Sequence, residues 1–156
     1  MKVSNPYNQL PAHHCFGCST KNPIGLALEF ELDGDELICV WNPTKNYQGF
    51  EGMLHGGIIS TIMDEAGAWA IQILAETAGL TSELRVKYLK PVRLANGTIT
   101  VKASLKGQKD RLTTVYVALL DGNEKLCAEA HIDYFVFPEN IAKQKFRYPG
   151  IEAFIK

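Results

Sequence analysis

Leu54-His55-Gly56-Gly57-Ile58-Ile59-Ser60-Thr61-Ile62-Met63-Asp64-Glu65-Ala66-Gly67-Ala68-Trp69-Ala70-Ile71-Gln72-Ile73-Leu74 is the one long helical pattern in this chain, and its reading decides the fold. Ile58, Ile59, Ile62, Met63, Ala66, Trp69, Ala70, Ile73 and Leu74 spread around most of a helical circumference, which marks a helix buried on most sides. The pattern is expected to end near Thr77 to Gly79. The rest reads as strand. Leu26 to Leu32 and Glu36 to Trp41 flank the turn Asp33-Gly34-Asp35 and predict a β-hairpin ahead of the helix. Thr81 to Leu89, Gly97 to Lys106, Leu112 to Leu120 and Lys125 to Phe137 follow it, with Asp121-Gly122-Asn123 as a further turn. The order β-β-α-β-β-β-β predicts an α+β fold, a curved antiparallel sheet wrapped around a long central helix. Residues 1–25 form an irregular lead-in over the domain and its pocket, 26–138 the domain itself, and 139–156 a tail whose Phe146, Tyr148, Ile151 and Phe154 are available for docking.

The 156 residues suit a single core. Hydrophobic residues make up 46% and charged residues 21%, which excludes disordered, collagen-like and coiled-coil chains. Sixteen Lys and Arg against seventeen Asp and Glu give a net charge of -1, too little positive charge for a typical nucleic-acid binder. No apolar stretch approaches the roughly 18–20 residues of a membrane span, and the first residues carry no apolar signal region, so a cytoplasmic protein without a membrane partner is expected.

Two features of the helix point to chemistry. Asp64 and Glu65 are acids within the most apolar segment, and burying a carboxylate there costs several kcal/mol unless it is bonded, paired or used. At 100° per residue Asp64 shares a face with Gly57, Ser60, Thr61, Gly67, Ala68 and Ile71, mostly small residues that leave room for a ligand or a second helix. The plain alternative is an acid facing solvent or paired with Lys or Arg, and Glu65 fits that alternative better. His55-Gly56-Gly57 opens the helix, where unpaired N–H groups and the positive end of the helix dipole suit an oxyanion. Gly56 and Asp64 are eight residues, or about 12 Å, apart along the helix. One carbonyl cannot touch both groups of one chain, so joint action predicts a dimer in which Gly56 of one copy faces Asp64 of the other. Thr81 and Ser82 begin the next strand, where a hydroxyl can orient a water or the carboxylate, although a plain strand-start role fits equally. Arg85 and Lys87, with Lys90 and Arg93, form a basic cluster suited to phosphates, with a solvated strand face as the alternative.

The four cysteines do not suggest a disulfide framework. Cys39 and Cys127 lie in strands as small hydrophobes. His13-His14-Cys15-Phe16-Gly17-Cys18 contains a Cys-x-x-Cys pair that can hold zinc or cycle redox, but a second ligand pair is missing from the sequence, which favours a tight structured turn.

Tyr47-Gln48-Gly49, Leu54-His55-Gly56-Gly57, Asp64-Glu65-Ala66 and Tyr88-Leu89-Lys90-Pro91 together resemble the hotdog-fold acyl-CoA thioesterases of the phenylacetic-acid-degradation type, over about Cys15 to Phe137. Cys15-x-x-Cys18 followed by Asn22-Pro23-Ile24-Gly25-Leu26 resembles the opening segment of bacterial members. The resemblance implies hydrolysis of an acyl-CoA substrate, homodimers that often pair into homotetramers, and no metal or cofactor. It implies Asp64 as the catalytic acid, the Gly56 N–H as the group polarising the thioester carbonyl, Thr81 as the hydroxyl on the following strand, and His55 as mainly positional. Gly57, Gln48, Ser82, Arg85 and Lys87 are the candidate substrate contacts. One departure stands out: several relatives carry Asn or Gln six residues before the motif histidine, where this chain has Gly49, with Gln48 beside it. That departure keeps a non-catalytic acyl-CoA or small-ligand binder open as a second reading. A hotdog hydratase or dehydratase is the third, with His55 and His131 as its available histidines. Phe50, Met53 and Trp69 are candidates to line the pocket.

Overall fold

A computed structural model describes residues 1–155. Its elements run β1 (Glu31–Asp33), β2 (Glu36–Trp41), α1 (Gly56–Leu74), β3 (Gly79–Tyr88), β4 (Ile99–Lys109), β5 (Leu112–Leu120), β6 (Leu126–Val136) and α2 (Glu139–Phe146), with short 3-10 turns between. The six strands form one antiparallel sheet in the order β1-β2-β4-β5-β6-β3. This is the hotdog arrangement: the sheet curves around α1.

The core follows from the two periodicities. Val115, Val117 and Leu119 alternate inward along β5, as Ala128, Ala130, Ile132 and Tyr134 do along β6, and all are buried. They meet Ile59, Ile62, Met63, Ala66, Trp69, Ala70 and Ile73 of α1, also buried. Trp69 stacks on Phe30 at 5.0 Å between ring centroids and meets Phe154 edge-on at 5.7 Å. Trp69 is a core residue whose edge also lines the cavity beside Glu65 and Gln72, away from the Gly56 groove. Phe154 belongs to the tail, which docks through it and through Tyr148, whose hydroxyl donates to the Gln72 carbonyl at 3.0 Å.

Several strand ends differ by one to three residues, as in β4, which runs Ile99–Lys109 rather than Gly97 to Lys106, and two departures are larger. The first strand does not fill Leu26 to Leu32; only Glu31–Asp33 pair with β2. Ala27 takes a positive φ of 49°, which breaks the extended run. The Leu26 and Leu28 N–H groups donate instead to the carbonyls of Phe16 and Gly17, both at 2.8 Å. Leu26, Leu28 and Phe30 are nevertheless buried, so their apolar pattern records packing rather than pairing. The helix stops at Leu74 because Glu76 adopts a φ of 53°, and Thr77 caps the connection by donating to the Phe137 carbonyl at 2.6 Å.

Candidate active site

The helix start is held from both sides. His55 is extended, with φ -64° and ψ 134°, and its Nδ1 accepts the Gly57 N–H at 2.9 Å, so the imidazole caps α1. Its own N–H donates to the Tyr47 carbonyl at 2.9 Å. The positional role expected for His55 therefore has a physical basis. The Gly56 N–H donates to no acceptor among the described residues, as the first N–H groups of a helix commonly do not. Gly56 lines an open groove of about 600 Å³ together with Gln48, Gly49, Phe50, Met53 and His55. It also borders a smaller groove of about 300 Å³ with Ile59, Tyr88 and Lys90. The Tyr88 hydroxyl donates to the Gly56 carbonyl at 2.9 Å and contacts Ser60 Oγ, which ties the end of β3 to the first turn of α1.

Two turns down the helix, Asp64 is half-buried and receives two hydroxyls on one oxygen. Thr81 Oγ1 donates to Oδ1 at 2.8 Å, and the Tyr134 hydroxyl stands 3.0 Å from the same atom and 2.8 Å from the Asp64 carbonyl. Oδ2 has no partner among the described residues. Thr81 and Tyr134 are cross-strand neighbours of β3 and β6, and the register slips by one residue immediately afterwards, between Thr81 and Glu83. Ser82 is the extra residue of that bulge, a device that re-aims side chains near a strand end. Tyr134 is fully buried, and burial together with the Asp64 charge pushes its phenol well above the usual range, so it remains a donor. Gly67 makes this approach possible: a Cβ there would lie 2.3 Å from the Tyr134 hydroxyl oxygen.

Tyr134 was not among the residues expected from sequence. Its signal was indirect: a glycine in mid-helix on the Asp64 face, where something bulky must come close.

The remaining candidates lie apart from Asp64. Gln48 is exposed on the large groove, and its Oε1 accepts the Gly52 N–H at 3.1 Å. Ser82 is exposed at the bulge. Arg85 and Lys87 alternate with Leu84 and Val86, which pack on the core, and so face away from α1. Arg85 is bound to Glu83 at 2.8 Å and Asp133 at 3.1 Å, leaving little free charge for a phosphate. Phe50 and Met53 line the large groove as expected. His131 is exposed on the outer sheet face, its ring 5.2 Å from that of Tyr116. Glu65 is neither a solvent-facing acid nor ion-paired among the described residues; its Oε1 accepts the Trp69 indole N–H at 3.0 Å, and Cys15 Sγ lies 3.6 Å away.

Residues 51–128, half of the chain, match the family model described as the thioesterase superfamily. The chain belongs to the thioesterase superfamily. The matched segment carries the His55 cap, Gly56, Asp64 and Thr81, and ends as β6 begins. Among sequence relatives, the protein named "Putative esterase SSO1253" from Saccharolobus solfataricus is 36% identical over 73% of this chain and 76% of its own. The acyl-coenzyme A thioesterase THEM4 of Rattus norvegicus is 28% identical over 65% of this chain, which spans only 44% of that relative. Among solved structures, smu.793 from Streptococcus mutans bound to acetyl CoA superposes with a TM-score of 0.64 at 19% identity, covering 72% of this chain and 90% of that one. At that identity the likeness speaks for the fold alone.

No helix among the described residues is long and apolar enough to cross a membrane.

Proposed function

We propose that the protein is an acyl-CoA thioester hydrolase of the cytoplasm that works as a dimer with two shared sites. The observation that carries this reading is the Asp64 carboxylate: Oδ1 is fixed by Thr81 and Tyr134, while Oδ2, at a half-buried position, has no partner among the described residues. A carboxylate so held is oriented to act through its second oxygen. That oxygen takes a proton from a water attacking the thioester carbonyl, or itself attacks the carbonyl to give a mixed anhydride that water then hydrolyses. In either route the Gly56 N–H stabilises the oxyanion, and coenzyme A leaves as the thiol.

The dimer follows from distance and from the sheet edge. Asp64 lies about 12 Å along α1 from Gly56, so the two meet only between chains. β3 is the last strand of the sheet, with one edge unpaired and Leu80, Tyr88 and Leu89 about half-exposed. A second copy pairing there covers that edge and brings the two α1 helices together along their small-residue faces. Pairing of dimers into a tetramer is compatible with this edge and is not required by it. Lys90, on the groove beside Gly56, is a better-placed cation for the coenzyme phosphates than Arg85.

The test is a thiol-release assay across short, long and aromatic acyl-CoAs on wild type and Asp64→Asn. Turnover in the wild type and its near-complete loss in a folded Asp64→Asn supports the reading. Undiminished turnover in Asp64→Asn contradicts it, and saturable binding without thiol release in the wild type favours the non-catalytic binder that the Gly49 departure left open.

A further inference from the structure

On the side of α1 next to Asp64, the sulfur atoms of Cys15 and Cys18 and a carboxylate oxygen of Glu65 all lie within 4.8 Å of one another. Cys15 Sγ stands 3.6 and 3.7 Å from the two Glu65 oxygens. His13 Nε2 lies 3.9 Å from Cys18 Sγ, beside this cluster rather than within it, so a turn of its ring is needed to bring it in as a fourth ligand. In a tetrahedral site with metal–sulfur bonds of about 2.3 Å and metal–nitrogen or metal–oxygen bonds of about 2.0–2.1 Å, adjacent ligand atoms are about 3.3–3.8 Å apart. The Cys15–Glu65 separations match those edges, and the Cys18–His13 separation comes close to them. The sequence pattern lacked a second ligand pair beyond Cys-x-x-Cys; the fold supplies Glu65 from α1, fifty residues away.

The surroundings are built to hold this geometry. The Cys15–Cys18 turn is pinned by Ser19 N–H on the Cys15 carbonyl at 3.2 Å, and by Leu26 and Leu28 N–H on the Phe16 and Gly17 carbonyls. Gly17 lets the Glu65 carboxyl lie directly over the turn, since a Cβ there would come within 2.4 Å of Glu65 Cδ. Trp69 donates its indole N–H to Glu65 Oε1, the kind of outer contact that orients a carboxylate ligand. The His13 ring packs against Tyr7 at 5.8 Å, and the Ser19 hydroxyl donates to the His13 carbonyl at 3.2 Å. A half-buried carboxylate facing two thiols, with no Lys or Arg partner among the described residues, is an arrangement that a cation stabilises.

We propose that Cys15, Cys18 and Glu65, with His13 as fourth ligand, form a site for a zinc-class divalent cation that clips the N-terminal segment to the central helix. Thiolate, imidazole and carboxylate together suit a borderline-soft, tetrahedral ion and not magnesium or calcium. The role is structural: Asp64 does not line this cavity, and the ion fastens residues 13–18 over the space of about 270 Å³ that Tyr7, Glu65 and Gln72 also line. This proposal stands apart from the reading of Asp64, because its test does not measure turnover.

The experiment uses the full chain under a phosphine reductant, stripped of metal and titrated with cobalt(II) as a spectroscopic probe, then with zinc in competition. One cobalt per chain is expected, with intense visible bands of tetrahedral geometry and a near-ultraviolet thiolate-to-cobalt charge-transfer band, all displaced by one equivalent of zinc. Cys15→Ser is expected to abolish the charge-transfer contribution of that thiolate and to weaken binding at least about tenfold, the low end of the loss seen when a supporting contact is removed. Glu65→Gln is expected to reduce the visible bands, while Cys39→Ser, in the buried core of β2, changes neither. Zinc should raise the melting temperature of the wild type and not of Cys15→Ser. Should Cys18→Ser fail to fold, Cys15→Ser and Glu65→Gln carry the test, being at half-buried positions. Absence of stoichiometric tetrahedral cobalt in the wild type, or cobalt spectra unchanged in Cys15→Ser, would overturn the proposal.

Discussion

Replacing Gly56 with proline removes a single N–H from the protein and disturbs little else. Gly56 is the first residue of α1, the helical position where proline is favoured because its missing N–H has no intrahelical partner. The preceding His55, at φ -64° and ψ 134°, is already in the extended conformation that a residue before proline adopts. A Cβ at Gly56 would meet the Tyr88 ring at 3.5 Å, an ordinary contact. Stability is therefore expected to stay within about 1 kcal/mol of wild type, with any gain coming from the restricted unfolded chain. Turnover is another matter. Deleting one oxyanion donor costs about 2.7–4 kcal/mol, or roughly 10²–10³ in kcat. Gly56→Ala, which keeps the N–H and adds the same Cβ, is the matched control. Thermal melts paired with thiol-release kinetics on a cleaved acyl-CoA give both numbers. Equal turnover in Gly56→Pro and Gly56→Ala, with both folded, would refute the oxyanion role.

Gly67→Ala places a Cβ 2.3 Å from the Tyr134 hydroxyl oxygen and 3.0 Å from Cζ, so the buried ring must shift. A loss of about 1–3 kcal/mol is expected by thermal melt, despite the better helix propensity of alanine, along with reduced turnover as the Asp64 support is displaced. Tyr134→Phe alone removes a buried donor to a charged carboxylate and is expected to cost about 1.5–3 kcal/mol. The pair Gly67→Ala and Tyr134→Phe should cost less than the sum, because the clash and the hydroxyl are lost together; strict additivity would contradict the contact. His55→Ala is expected to cost about 1 kcal/mol through loss of the helix cap, and His55→Asn, which keeps a capping oxygen, to recover most of it in the same melt.

Where one local rule governed, sequence and structure agree closely. Leu112–Leu120 was legible to the residue because a run rich in β-branched, aromatic and aliphatic residues lies between clear turns. Leu26 to Leu32 shows a strand-like alternation, yet its N–H groups bond to the Cys15–Cys18 turn, a competition that no pattern within the segment reveals. Helix geometry alone puts Asp64 on a small-residue face and free N–H groups at the Gly56 start, whereas the hydrogen bond from Thr81 to Asp64 depends on where the next strand returns beside the helix. Tyr134 was not legible, since its contact with Asp64 spans seventy residues and depends on strand register. Glu65 was misread for the same reason: its partners Cys15 and Trp69 include one from the lead-in, which only the tertiary fold brings near.

The most direct test of a shared active site is a mixed dimer in which one chain carries Asp64→Asn and the other Gly56→Pro, purified on two different tags and assayed for thiol release. One of its two sites then joins an intact Gly56 to an intact Asp64, while the other lacks both. About half of wild-type turnover per dimer is expected, although each homodimer alone is nearly inactive. A mixed dimer as inactive as its parents would mean that Gly56 and Asp64 of the same chain work together, and would contradict the account.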